Sequence, residues 1–287
     1  MQLPESHRIG NPSAAWRASR CMNSLQAEQN LIVDTHAHLS DEQLADRIEH
    51  WISEAAAVDV TAMLSVGTTV SSSRACLKLA ERFSSVRAAV GIHPNYCCQA
   101  SEEDWAAIIE LSKHLRVAAL GETGLDRYWD DCPWDVQVDY FRRHLQLSRE
   151  AELPVVIHTR ECAEETVDIL RDEAQNGALR GVMHSFTGPQ AVADACLELG
   201  LYISFAGMVT YKNADDLRVI AKSVPADRIL VETDSPYLTP HPFRGKKPNH
   251  PANVAHTLRC VAEVRGDSYA AFAAQTTANA ERLFGLW

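Results

Sequence analysis

The stretch Leu31-Ile32-Val33-Asp34-Thr35-His36-Ala37-His38-Leu39 is an apolar run that ends in two histidines. Its β-favouring residues predict a buried strand that stops near them. Side chains alternate across a strand, so His36 and His38 project to one side and can share a metal ion. A lone His-x-His has a structural reading of equal weight, in which one ring is a satisfied core residue and the other caps a loop. What separates the two readings is that four later strand-like runs also end on a metal-ligand type, at Glu122, His158, His184 and Asp234.

Outward from that run, apolar β-rich segments alternate with helical ones. Strands are expected over Leu31–His36, Thr61–Val66, Val86–Gly91, Val117–Glu122, Pro154–His158, Gly181–His184, Leu201–Phe205 and Ile229–Glu232. Helical periodicity covers Glu42–Ala57, Ser71–Phe83, Glu102–Leu115, Val136–Glu152, Ala163–Glu173, Gln190–Leu199, Ala214–Ser223, Asn253–Arg265 and Tyr269–Phe284, with Ser40 and Ser101 as capping candidates. Strands this continuously apolar suit a parallel sheet covered on both faces. The order predicts an α/β fold, a (β/α)8 TIM barrel of the metal-dependent hydrolase type, formed by a single domain over residues 31–287. An open doubly wound sheet remains as the alternative, but the first strand is not followed by the glycine-rich phosphate loop of a dinucleotide fold.

Composition narrows the function. The 287 residues are 46% hydrophobic and 23% charged, ordinary for a soluble protein with a sizeable core. A net charge of −11 repels polyanions and argues against a sequence-reading DNA binder, so any contact with nucleic acid must be local. Metal-binding carboxylates offer one such place, because divalent cations reverse the local sign. Eight cysteines without Cys-x-x-Cys spacing read as reduced thiols of a cytoplasmic protein; the adjacent Cys97 and Cys98 are open to a redox or ligand role, with incidental thiols as the default. There is no apolar run of transmembrane length. Residues 1–30 lack the apolar core of a signal peptide and read as a loosely ordered N-terminal extension or an upstream start, with Met22 as an alternative start, ahead of a transit peptide, for which arginines and few acids speak.

In such barrels the active site lies at the carboxyl ends of the strands, where His36, His38, Glu122, His158, His184 and Asp234 are all expected. Six ligands exceed what one catalytic metal takes while keeping an open position, and they suit two divalent ions sharing Glu122. Mg²⁺ or Mn²⁺ is expected to support activity and Zn²⁺ to bind tightly, since four histidines favour first-row ions. Asp234 is placed both to hold a metal and to take a proton from the attacking water, making Asp234 and Glu122 the catalytic pair. Arg244, Lys246 and Lys247 form the one dense basic cluster, with Arg244 suited to clamping a substrate phosphate. Among the aromatics expected near the mouth, Tyr128 and Phe205 are candidates to stack on bases, ahead of Trp129 and Tyr211.

The chain also resembles the TatD family of metal-dependent deoxyribonucleases. The resemblance rests on Asp34-Thr35-His36-Ala37-His38-Leu39, Gly91-Ile92-His93-Pro94, Gly121-Glu122-Thr123-Gly124-Leu125-Asp126, Ile157-His158-Thr159-Arg160, His184-Ser185-Phe186-Thr187-Gly188 and Glu232-Thr233-Asp234-Ser235-Pro236-Tyr237-Leu238. It implies one ion held by His36, His38, Glu122 and Asp234, a second held by Glu122, His158 and His184, and His93 close to the scissile phosphate. It further implies hydrolysis of DNA phosphodiesters, as a 3′-to-5′ exonuclease on single strands. Two departures stand out. The segment Pro242–Pro251 resembles the family's Arg-Gly-Lys loop but is one residue longer, with His250 where an acid is common, and residues 1–30 have no counterpart in compact members. A monomer acting on single-stranded DNA, without a membrane partner, is the expectation. The rivals are an amidohydrolase-like lactonase or esterase, disfavoured by Glu122 where a bridging lysine is common, and a metal-stabilised binding protein without turnover, whose ligand set should be broken.

Overall fold

The computed structural model describes residues 31–285 and Trp287, so the expected extension lies outside the described residues. Eight parallel strands hydrogen-bond in chain order, which is the expected TIM-barrel arrangement. They are β1 Ile32–Ala37, β2 Val60–Val66, β3 Val86–Val90, β4 Val117–Asp126, β5 Val155–Arg160, β6 Gly181–Met183, β7 Tyr202–Phe205 and β8 Ile229–Val231. The helices are α1 Glu42–Ala45, α2 Ile48–Ala56, α3 Val70–Arg82, α4 Glu102–Ser112, α5 Trp134–Ala151, α6 Ala163–Ala174, α7 Gln190–Glu198, α8 Asp215–Ser223, α9 Val254–Arg265 and α10 Tyr269–Phe284. None of these helices is long and apolar enough to cross a membrane.

Closure between β8 and β1 occurs just beyond β8. His38 N donates to Ser235 O at 2.7 Å and Asp234 N to His36 O at 2.9 Å. The buried Asp34 carboxyl group adds a side-chain clasp, accepting from Thr233 N at 2.9 Å and Thr233 Oγ1 at 2.6 Å. The same few residues therefore seal the barrel and bring Asp234 beside the first two histidines.

Apolar residues fill both faces of the sheet. Val33, Leu64, Ala89, Val156, Val182 and Leu230 pack with Ala280, Leu283 and Phe284 of α10. That helix sits at the amino ends of the strands, where Thr277 Oγ1 donates to Leu31 O at 2.6 Å and Arg180 to Leu283 O at 3.3 Å. With one end stoppered by apolar side chains, only the carboxyl end is left for chemistry.

Several boundaries differ from expectation. β4 and β5 run on to Asp126 and Arg160, pairing Gly124 with His158 and Asp126 with Arg160. The expected helix Glu42–Ala57 is two pieces, α1 and α2. The buried face of Leu44, Ile48, Trp51 and Ala55 continues through the break, so periodicity does not register it. The cap of α1 is Asp41 rather than Ser40, its carboxylate accepting from Gln43 N at 2.9 Å. Ser101 does cap α4, in a reciprocal box with Asp104.

A buried histidine ties α5 to the end of β3. His144 Nδ1–H donates to Tyr140 O at 2.7 Å, leaving Nε2 to accept Ile92 N–H at 3.2 Å. Burial pushes its pKa down to about 4. Between that value and the usual one near 6.5 the unfolded chain binds more protons than the folded one, so stability falls as pH falls through this window. We expect His144 to contribute a loss of about 2 kcal/mol between pH 7.5 and pH 5. His144→Gln keeps an acceptor for Ile92 without the titration; its denaturant midpoint should fall less with acid than that of the parent protein. Equal acid slopes would assign the sensitivity elsewhere.

Candidate metal centre

Apolar residues deep in the barrel share a parity with polar ones at its top. Val156 precedes His158, Val182 precedes His184, and Leu230 precedes Glu232 and Asp234, each two residues on. Glu122 reaches the centre by a different route. Its backbone N donates to Gly67 O at 2.7 Å, past β3. This crossing needs Gly91, where a Cβ would lie 2.7 Å from Gly121 Cα.

Around Glu122 the two carboxylate oxygens face different partners. Oε2 lies 3.5 Å from both His36 Nε2 and His38 Nε2. Oε1 lies 2.9 Å from His158 Nδ1, 3.0 Å from His184 Nε2 and 3.5 Å from His93 Nε2. Asp234 Oδ1 completes the first group, 3.7 Å from His36 Nε2 and 3.5 Å from His38 Nε2. Ligand-type atoms converge in three overlapping sets among the described residues: His36 with Glu122 and His184, His36 with His38 and Asp234, and His93 with Glu122 and His158. His36 and His184 are stacked with centroids 4.1 Å apart, so the two groups form one continuous centre.

Hydrogen bonds at the far ring nitrogens decide which nitrogens are free. His38 Nδ1–H donates to Val66 O at 3.0 Å, His158 Nε2–H to Asp126 Oδ2 at 3.0 Å, and His184 Nδ1–H to Glu232 Oε1 at 3.2 Å. Each turns its other nitrogen toward Glu122. His93 is built the opposite way: its Nδ1 accepts Asn95 N–H at 3.2 Å, which puts the proton of the neutral ring on Nε2. Burial, joined by His158 and His38, outweighs the pull of Glu122 and lowers the pKa of His93, keeping it neutral. In this tautomer His93 Nε2 is a donor, 3.5 Å from Glu122 Oε1.

The charges fit divalent cations. Burial opposes ionisation of Glu122, but His184 and His93 and the hydrogen bonds of His158 and His184 hold it well below the usual carboxylate range. Asp234 is also depressed, burial being outweighed by His38, His36 and His184. Conversely, the carboxylates lift His38 to about 9 and His184 well above its usual value, despite burial. Protons between these rings and carboxylates lie where cations would, and cations would displace them. His36 Nδ1 and Glu232 Oε2 are buried without hydrogen-bond partners.

The centre opens into a cavity of about 760 Å³ whose wall includes His93, Trp129, Arg160, Tyr96 and Tyr237. All six expected ligands converge. Phe205 requires correction: it is fully buried and packs edge-on against Phe186, so it cannot stack on a base. Tyr202 and Ser204 occupy the interior parity of β7, which turns Phe205 outward toward the helices. Tyr128 is half exposed beneath the Arg160 guanidinium, 3.6 Å from its ring centroid. Arg244 is exposed and lies over Tyr211 at 4.2 Å. Sequence reasoning missed Asp126 and Glu232 as partners of His158 and His184, and Arg160, Tyr96 and Tyr237 as cavity residues. Glu232 was legible in principle, two residues before Asp234 on the same strand face.

Comparison with known proteins gives a consistent result. A family model described as TatD related DNase matches residues 33–285. The chain is 42% identical over 256 residues to the uncharacterized metal-dependent hydrolase YabD of Bacillus subtilis, covering 89% of this chain and 100% of that one. It is 34% identical over 258 residues to the 3′-5′ ssDNA/RNA exonuclease TatD of Erwinia amylovora, covering 88% and 99%. The crystal structure of YJJV, a TatD homologue from Escherichia coli K12, superposes with a TM-score of 0.85 at 26% identity, covering 91% of this chain and 100% of that one.

Proposed function

The chain belongs to the TatD family and is a metal-dependent hydrolase acting on ester bonds; from that premise we propose that it cleaves phosphodiesters of single-stranded DNA from the 3′ end with two divalent ions. The observation that carries the two-ion reading is the division of Glu122, whose Oε2 faces His36 and His38 while its Oε1 faces His158 and His184. Asp234 joins the first set. When bound, such ions polarise the phosphoryl group and lower the pKa of water.

The remaining chemistry belongs to the chain. Asp234, ionised and open to the cavity, accepts the proton of the attacking water. Neutral His93 donates from Nε2 to an oxygen of the reacting phosphate. Asp126 and Glu232 fix the rings of His158 and His184, and Asp126 Oδ1 also accepts Tyr128 N at 2.8 Å and Trp129 N at 3.1 Å. Tyr96, Trp129 and Tyr237, each about half exposed on the cavity wall, offer stacking faces for unpaired bases.

The test is hydrolysis of a 5′-labelled single-stranded oligonucleotide, a carboxyl ester and a lactone by chelator-treated protein restored with Mg²⁺, Mn²⁺ or Zn²⁺. We expect oligonucleotide cleavage with Mg²⁺ or Mn²⁺, shortening from the 3′ end. Turnover of the lactone alone, or silence with both Mg²⁺ and Mn²⁺, would overturn the reading.

Arg160 lies in the cavity wall, so phosphate binding by a cation is proposed there first and at Arg244 as an outer, flanking contact. Arg160→Ala is expected to raise KM for the oligonucleotide about tenfold or more, the worth of one charge-assisted hydrogen bond, and to flatten the salt dependence. Arg244→Ala should do less. The reverse ranking in steady-state kinetics would make Arg244 the principal clamp.

A further inference from the structure

Two of the thiols meet beside the cavity. Cys97 and Cys98 lie in the 3-10 turn Pro94–Gln99 after β3, and Cys132 lies in the connection from β4 to α5. These segments also supply Asn95, Tyr96 and Trp129 to the cavity wall. Cys98 N donates to Cys132 Sγ at 3.1 Å, which sets the Cys132 thiol against the Cys98 backbone. Cys98 S–H also reaches Asp131 O at 3.2 Å. Cys97 is turned the other way, buried with its thiol on His93 O at 3.4 Å. Cys98 is exposed and Cys132 buried directly behind it.

We propose that Cys98 and Cys132 form a thiol–disulfide site that responds to hydroperoxides at the rim of the catalytic cavity. In the first step the exposed Cys98 sulfur attacks a hydroperoxide, breaking the O–O bond and giving the Cys98 sulfenic acid and one molecule of alcohol or water. In the second, Cys132 sulfur attacks Cys98 sulfur; the S–O bond breaks, the Cys132 proton leaves with the hydroxyl group as water, and the S–S bond forms. Each sulfur loses one electron, and the peroxide takes both. A dithiol reductant reverses the bond by exchange. Both residues sit outside strands and α-helices, so bringing the sulfurs to an S–S bond of about 2.05 Å distorts no sheet pairing.

The cross-link would act on the mouth. Cys132 O accepts Gln137 Nε2 at 2.9 Å, and Gln137 also clasps Asp126, accepting from its N at 2.8 Å and donating to its O at 3.0 Å. Tying Cys132 to Cys98 therefore fixes the segment bearing Trp129 against the turn bearing Tyr96, two of the stacking faces. Oxidised protein should handle an oligonucleotide worse than reduced protein. This consequence rests on the proposed nuclease reading, whereas the bond itself does not.

The full-length protein is treated with dilute hydrogen peroxide, remaining thiols are alkylated, and peptides are mapped without reduction. The expected product is one peptide pair joining Cys98 to Cys132, lighter by two hydrogens, lost on dithiothreitol and absent in Cys98→Ser. Cys98 converted to sulfinic acid with Cys132 still open to alkylation overturns the site, as does a dimer linked through Cys98. Should Cys132→Ser fold with an unchanged melting profile, its Cys98 should advance to the sulfinic acid at peroxide doses that leave the parent at the disulfide. Oligonucleotide hydrolysis should fall severalfold on oxidation, recover with dithiothreitol, and be insensitive in Cys98→Ser. An unchanged rate in disulfide-bonded protein overturns the effect on the mouth. Absence of oligonucleotide hydrolysis in reduced protein refutes the nuclease reading instead, and the peptide map still decides the bond.

Discussion

Glu122→Ala is expected to lower hydrolysis by roughly a thousandfold or more and to leave the purified protein with at most one equivalent of divalent ion. The reason is the placement of its two oxygens. One lies 3.5 Å from His36 and His38 Nε2 and the other about 3 Å from His158 and His184, so one truncation removes a ligand from both sets. Removal also deletes the negative charge that these rings share, leaving buried imidazoles facing one another. His158→Ala, by contrast, removes a terminal donor from one set and should cost one ion only. Metal content by atomic emission, with circular dichroism to establish folding, checks both variants. Two full equivalents in Glu122→Ala with activity intact would end the two-ion reading.

The architecture was legible because a parallel strand buried on both faces leaves a continuous apolar run, as Val155–Ile157 and Ile229–Val231 do. The ligands were legible because each such run ended on a histidine or carboxylate. What was not legible follows from the same physics. β4 continues through Glu122, Thr123, Gly124 and Asp126, a composition that reads as loop, and these residues are buried only because the barrel closes around them. Asp126 acquires its role from β5, through pairing with Arg160 and a hydrogen bond to His158, contacts that no local pattern contains. Phe205 was misread for a related reason. Its position at a strand end suggested the mouth, but strand parity turns it outward, and Ser204 takes the interior place.

The charge distribution bears on substrate approach. With a net charge of −11 the chain repels a polyanion at long range, and screening confines that repulsion to about 8 Å at physiological ionic strength. Attraction must therefore come at short range, from Arg160 in the wall and from the cations that the centre fits. Tyr96, Trp129 and Tyr237 add contacts that depend little on salt. On the proposed nuclease reading, such a site would favour flexible single strands that can thread into a recess over duplexes whose paired bases expose no stacking face.

Asp234→Asn is expected to cut kcat by about 10²–10⁴-fold while much of the metal remains, because the amide oxygen can still approach an ion but cannot take a proton. Asp234 is the carboxylate best placed for this. Its Oδ1 lies 3.5 Å from His38 Nε2 and 3.7 Å from His36 Nε2, and its side chain reaches the cavity, whereas Glu232 is fully buried beneath His184. The backbone of Asp234 is held by the bond from its N to His36 O, so the substitution leaves the position of the side chain unchanged. The lowered pKa keeps the carboxylate ionised, and a depressed carboxylate loses its function only as pH falls through that lowered value. The parent protein should accordingly show an acid limb in kcat/KM below the ordinary carboxylate range, and the asparagine variant should lack it. The pH–rate profiles of both proteins, measured at matched metal content, read this directly. If Asp234→Asn keeps activity within about threefold of the parent, or retains the same acid limb, the proton acceptor is another group and Asp234 serves only as a ligand.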